Sequence, residues 1–211
     1  ELLCCDGQGC KRCFHLSCLD PPLTYAPTGF WHCIWCVKKK IEFGVHSVSE
    51  GIESILDARD VVSDHEVMQR QKQYLVKYKG LAHVHNCWIP ERQLVLETPM
   101  LVARYKKFQT IRWKTEWTVP QRLLQKRLLS FPKDCDGYVH GHDDNDSDCH
   151  YEWLVKWTGL NYDHATWELE NASFFRTPEA LNLIRDHESR HKKAERVGGK
   201  GTFTELSESG L

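Results

Sequence analysis

The 211-residue sequence contains no apolar run approaching the roughly 18 residues that a membrane-spanning helix needs. Its start has none of the charged, apolar and small-residue order of a signal peptide. Membrane insertion and secretion are not indicated. An excess of either charge is also lacking: 28 Lys and Arg stand against 29 Asp and Glu, a formal net charge of -1. No strong long-range field draws in nucleic acid, and short basic stretches at Lys38 to Lys40 and His191 to Lys193 leave DNA as a secondary partner. Nucleophile–base sets such as Ser/His/Asp are missing outside the cysteine-rich start, and Val197 to Thr202 lacks the residue order of a phosphate loop, so the tail reads as flexible and the chain as non-catalytic. No initiator Met opens the sequence, which reads as a piece excised from a longer chain.

What is present is 41% apolar and 27% charged residues, a composition that suits two or three small domains better than one large core. Seven of the ten cysteines fall between residues 4 and 36, beside His15. That crowding is metal-site spacing rather than a secreted disulfide framework, and it implies a reducing compartment, cytosol or nucleus. The ordered candidates are Cys5, Cys10, His15, Cys18, Cys33 and Cys36, as C-x4-C-x4-H-x2-C and a distant C-x2-C. Tetrahedral zinc takes four soft or borderline ligands, so six ligands for two metals leave two missing. Cys4 and Cys13 are spare thiols, read as small buried side chains, with an improvised set joining them to His15 and Cys18 as the alternative.

The strings Leu2 to Asp6, Phe14-His15, Cys18 to Leu23 and Trp31-His32-Cys33 before Cys36 resemble a PHD finger. The resemblance implies interleaved ligand pairs. Cys5, Cys10, Cys33 and Cys36 would complete one zinc site, and His15 and Cys18 would be half of a second. The partners of that half site would lie in a C-x2-C upstream of Glu1, making this finger N-terminally truncated. The family adds the N-terminus of histone H3 as a strand, here along Glu1 to Cys5 with Leu3 in it. Cys13 stands where trimethyl-lysine readers carry an aromatic wall, so that mark is disfavoured, while Glu1 and Asp6 would suit an unmodified ammonium. Trp31 and Phe14 read as packing residues. A RING finger, implying ubiquitin transfer, is the poorer match.

Sliding the chain by 79 residues aligns Tyr74 to Leu81 with Trp153 to Leu160, Trp88 with Trp167 and Glu91 with Glu170. Alternation predicts strands over Tyr74 to Tyr78 and Trp153 to Trp157, each ending at a glycine, Gly80 or Gly159. Trp88 and Trp167 open a further strand, Ile52 to Leu56 and Arg122 to Leu129 precede each copy, and helices are predicted from Pro99 to Phe108 and from Pro178 to His191. The strings LVKYKGL and LVKWTGL with their later Trp resemble chromodomains, and the pair resembles the tandem chromodomains of CHD remodellers. Within that family the match is nearest the plant PICKLE-type branch, with the Morpheus' molecule silencing relatives as the alternative. An ATPase of the Snf2 type, active or degenerate, would then follow in the intact protein.

Methyl-lysine cages need about three aromatic faces. The family's wall positions fall on Glu50, Tyr78 and Leu81 in the first copy, and on Thr118, Trp157 and Leu160 in the second, where Trp117 and Tyr162 are near enough to substitute. Neither cage is complete, and a composite site between the copies is the form methyl-lysine binding would take. The plainer alternative makes Trp88 and Trp167 core and the modules DNA-binding or partner-docking scaffolds.

The expectation is an α+β multidomain chain: a PHD-type finger over residues 1–40, one chromodomain-like three-stranded sheet with a C-terminal helix over 46–108, a packed linker over 109–119, and a second such module over 120–195. An acidic insertion at 133–150 and a tail at 196–211 complete it. The insertion's Cys135, His140, His142, Cys149 and His150 are too irregularly spaced for a metal site. The function expected is a nuclear histone H3 reader holding zinc within a remodelling or silencing complex.

Overall fold

The computed structural model describes residues 1–62, 70–108, 113–129, 131–132 and 151–198. The insertion histidines and cysteines and the tail beyond residue 198 lie outside them.

The cysteine-rich start has little regular structure: β1 (Leu2–Cys4) pairs antiparallel with β2 (Cys13–His15), a 3-10 turn spans Leu16–Cys18, β3 is Leu19–Asp20, and α1 is Ile34–Phe43. Its core is small, gathering Leu3, Leu16, Leu19, Trp31, Cys33 and Cys36 with Val48 from the segment that follows. Trp31 is the large filler, met edge-on by Phe14 at 5.9 Å. So few apolar residues cannot hold about 40 residues together without a metal or a neighbouring module.

Two sheets of the same plan follow. The first orders β4 (Ile52–Val62), β5 (Arg70–Tyr78) and β6 (Cys87–Pro90); the second orders β7 (Pro120–Leu128), β9 (Tyr151–Trp157) and β10 (Thr166–Leu169), with a two-residue strand β8 (Phe131–Pro132) between β7 and β9 in the chain. Their registers coincide under the 79-residue shift, with Leu75 opposite Trp88 and Leu154 opposite Trp167. Irregularities fall at corresponding places on the first strand of each sheet. Gly80 and Gly159 share φ 71°, and a Cβ on Gly159 would lie 2.8 Å from the Glu116 carboxylate. The first sheet is followed by α2 (Glu91–Glu97) and α3 (Pro99–Phe108), the second by a 3-10 turn (Ser173–Arg176) and α4 (Pro178–Gly198).

The first hairpin runs past the expected Leu56 to Val62, with β5 starting at Arg70. Alternation marks only the half that covers a core. The outer half is a two-stranded ribbon held by its backbone ladder and by cross-strand pairs such as Arg59 Nε to Gln73 Oε1 at 2.9 Å. Trp88 and Trp167 are half-buried rather than core, each with a face covered by a guanidinium, Arg59 at 4.3 Å and Arg127 at 4.0 Å. The first core is instead Ile55, Tyr74, Val76, Ile89, Leu94 and Val102. The second is Leu123, Trp153, Val155, Trp157, Phe175 and Ala180, and Ala82 of the first module joins it. Within the connecting segment, Trp117 rests on His83 with ring centroids 5.1 Å apart.

Candidate metal centre and the cleft beside it

Cys5, Cys10, Cys33 and Cys36 place their Sγ atoms within 4.8 Å of one another. Each ligand pair has a local cause. Cys5 directly follows β1, and a tight turn closed by the Cys10 N–H on the Gly7 carbonyl (2.9 Å) swings Cys10 back beside it. Gly7 is required by space: a Cβ there would lie 2.5 Å from Cys36 Sγ. Cys33 precedes α1 and Cys36 sits in its first turn, so both sulfurs stand at the positive end of the helix dipole. The Cys33 and Gly7 N–H groups donate to Cys5 Sγ at 3.2 and 3.4 Å, the outer-shell bonds that a metal thiolate uses.

A hydrogen bond from the Cys33 thiol, with backbone donors behind it, holds the Cys5 thiol down at about 5 despite burial. The bond to Cys5, reinforced by burial, pushes Cys33 up, and burial pushes Cys36 up to about 12. Four crowded sulfurs can ionise together only around a cation. Zinc fits them: a tetrahedral Zn–S length of about 2.3 Å sets sulfurs about 3.8 Å apart, and Cys10 and Cys33 Sγ are 3.7 Å apart. The cluster could therefore hold a metal ion of zinc's character.

His15 and Cys18 are both exposed, and among the described residues no third ligand gathers with them. Cys4 and Cys13 correct the sequence reading. They are not buried but exposed, and as directly opposed residues of β1 and β2 they form a disulfide. The improvised set with His15 and Cys18 is therefore absent.

Leu3 is only 8% exposed and its side chain belongs to the module core, so it presents no side chain to a bound tail. The Asp6 carboxylate is not free either, because Oδ2 accepts the Trp31 N–H at 2.7 Å while the Asp6 N–H donates to the Trp31 carbonyl. Glu1 is exposed. Glu1 and Cys5, on either side of β1, bond Leu16 and Arg12 on either side of β2, so the alternation of an antiparallel ladder turns the backbone groups of Leu2 and Cys4 to the outer edge.

Beyond Asp6 a cleft of about 680 Å³ opens where the three modules meet, bordered by Phe30, Glu50, Tyr162, Asp163 and Glu168 among others. Of the aromatic residues offered as cage walls, Trp157 and Tyr162 border it, whereas Tyr78 and Trp117 do not. Trp157 is a core residue at 1% exposure, its Nε1 donating to Thr166 Oγ1 at 3.0 Å, so it is no open cage wall. Tyr162 is 62% exposed, with the Lys156 ammonium 5.3 Å from its ring. Tyr78 is half-buried against His46 at 4.5 Å. Sequence reasoning missed His85 and Glu168, which join across the two sheets at 2.7 Å; only tertiary docking brings them together.

His83, also on the cleft, carries a pH dependence. Burial, aided by Lys77 and His164 and opposed by Glu53, lowers its ring to about 4. Nδ1 accepts from Asn86 Nδ2 at 3.1 Å, a bond that a second ring proton removes. As pH falls, the unfolded chain takes the proton first, near the ordinary histidine value of about 6.5. Stability is therefore expected to be complete above that pH and to decline as pH falls toward about 4. The urea midpoint measured across this window should drop in the parent and drop less in His83→Gln; equal slopes would contradict the assignment.

The Chromo (CHRromatin Organisation MOdifier) domain matches residues 51–108 and 138–179, one stretch in each sheet module. Over 216 residues the chain is 28% identical to the CHD3-type chromatin-remodeling factor PICKLE of Arabidopsis thaliana, covering 90% of this chain and 14% of that protein. It is 24% identical over 244 residues to the Chromodomain-helicase-DNA-binding protein 3 homolog of Caenorhabditis elegans, covering 90% of this chain and 12% of that protein. A 42-residue stretch, 20% of this chain and 7% of the relative, is 50% identical to the Autoimmune regulator of Homo sapiens. With two matched stretches and two sheets in common register, the chain carries a pair of chromodomains and over these residues is similar to CHD-like chromatin regulators.

Proposed function

We propose that this region binds histone tails for a nuclear remodelling or silencing factor, its cysteine-rich module being a PHD-type finger that holds zinc in Cys5, Cys10, Cys33 and Cys36. The observation that carries the reading is continuity: the outer edge of β1 leads to Asp6, and Asp6 borders the three-module cleft. A histone H3 tail added along β1 would gain main-chain bonds at Leu2 and Cys4 and pass its basic side chains toward Glu50 and Asp163. Both carboxylates are exposed. Tyr162 offers one open aromatic face, not three, which favours contact with an ordinary ammonium over strict dependence on a methyl mark. In this reading the chromodomains build a wall of the cleft instead of two separate cages.

The test is titration with unmodified and lysine-methylated H3 tail peptides and with short duplex DNA at two salt concentrations. Unmodified peptide should bind, and Glu50→Lys with Asp163→Lys should weaken it at least about tenfold, the scale of losing charge complementarity. Binding only to DNA, falling steeply with salt and indifferent to both substitutions, would replace the reader with a docking scaffold.

A further inference from the structure

The cysteine-rich module is seated on the second sheet module through buried charge. Glu152 on β9 is 1% exposed, yet it takes Arg127 of β7 through Nε at 3.0 Å and Nη2 at 2.7 Å, and Lys40 of α1 at 3.6 Å. Arg127 Nη2 also donates to the Phe30 carbonyl at 2.6 Å, while its guanidinium covers Trp167. Trp167 Nε1 donates to the Thr28 carbonyl at 3.1 Å, and the loop passes so close that a Cβ on Gly29 would meet that nitrogen at 3.1 Å. Val37 of α1 is fully buried with Leu129 and Leu169, and β3 pairs with β8. Apart from the β3–β8 pairing, these contacts are made by α1 and the loop ahead of it. Cys36, Val37 and Lys40 share one face of α1 by helical spacing, so the residue that would bind metal, the apolar plug and the buried cation are carried on a single turn and a half.

We propose that the cysteine cluster is a structural control point for the second chromodomain: metal bound at the N-terminus of α1 fixes the helix, and the helix holds Lys40 on Glu152 and Val37 over Leu129 and Leu169. Loss of the metal releases α1, leaves Glu152 with one cation instead of two, and opens the apolar seat. The signal passes through packed side chains, with no ligand shared between the modules. It goes beyond tail binding and stands whether or not a histone peptide binds.

Hydrogen exchange of β9 amides tests it, because β9 itself carries none of the four cysteines. In the zinc-loaded parent these amides should be well protected, and removal of zinc by a chelator under argon should lower protection on the order of a hundredfold, the scale of breaking a buried ion pair. Lys40→Met with Trp167→Phe, still binding zinc, should start near the lowered value and change little on chelation. Where that double variant does not fold, Lys40→Met alone is put through the same comparison. Unchanged β9 protection on zinc removal from the parent overturns the proposal, as does an equal chelation effect in parent and variant.

Discussion

Cys33→Ser is expected to abolish stoichiometric zinc binding and leave residues 1–43 without a folded core. Apparent binding energies of structural zinc are about 10–16 kcal/mol in small finger peptides, far more than so small an apolar cluster supplies, and Cys33 is fully buried within that cluster. Serine is well suited to the position ahead of α1, since it caps helix N-termini better than cysteine. A collapse in this variant therefore reports the lost metal ligand and not a lost helix start. Elemental analysis should give one zinc per chain in the parent, because the described residues assemble one four-sulfur set and leave His15 and Cys18 two ligands short. Two zincs in the parent, or an undiminished zinc content in Cys33→Ser, would refute the ligand assignment.

Trp157→Ala is expected to cost the second chromodomain about 3–5 kcal/mol, the range for removing a large aromatic from a core. The indole is packed with Trp153, Val155 and Phe175 and meets the Phe174 ring at 5.6 Å. Its removal also leaves Thr166 Oγ1 without the Nε1 donor, although that hydroxyl still donates to Glu168 at 2.6 Å. Tyr162→Ala, at an exposed position on the same cleft, should stay within about 0.5 kcal/mol of the parent in urea denaturation. The contrast matters for any binding experiment. Lost peptide affinity in Trp157→Ala would report a damaged fold, whereas lost affinity in Tyr162→Ala would report a contact. Equal stability of the two variants would show that Trp157 is not the core residue described above.

Local pattern located the repeat because a strand's period of two and its terminal glycine are short-range properties. Tyr74 to Gly80 and Trp153 to Gly159 carry both, and their sheets share register. The polar ribbon from Arg59 to Val62 escaped, since exchange of backbone bonds with 70–73 needs no apolar alternation. Cys4 and Cys13 escaped for a related reason: nothing in the spacing distinguishes a buried thiol from one standing opposite another across a hairpin.

For the site, cysteine spacing by itself determined six ordered ligand candidates, the resemblance to PHD fingers implied which four would share a metal, and those four sulfurs are the ones that gather. Tertiary structure alone decided the rest. Whether Trp157 stands open or becomes core depends on Phe174 and Phe175, which arrive from a segment beyond the strand. Glu152 lies on the strand face that alternation would assign to solvent, and it is buried because α1 and the loop before it cover that face with Lys40 and the carbonyl that Arg127 binds. A strand's period tells which residues share a face, but only docking of a neighbouring module determines whether that face meets water.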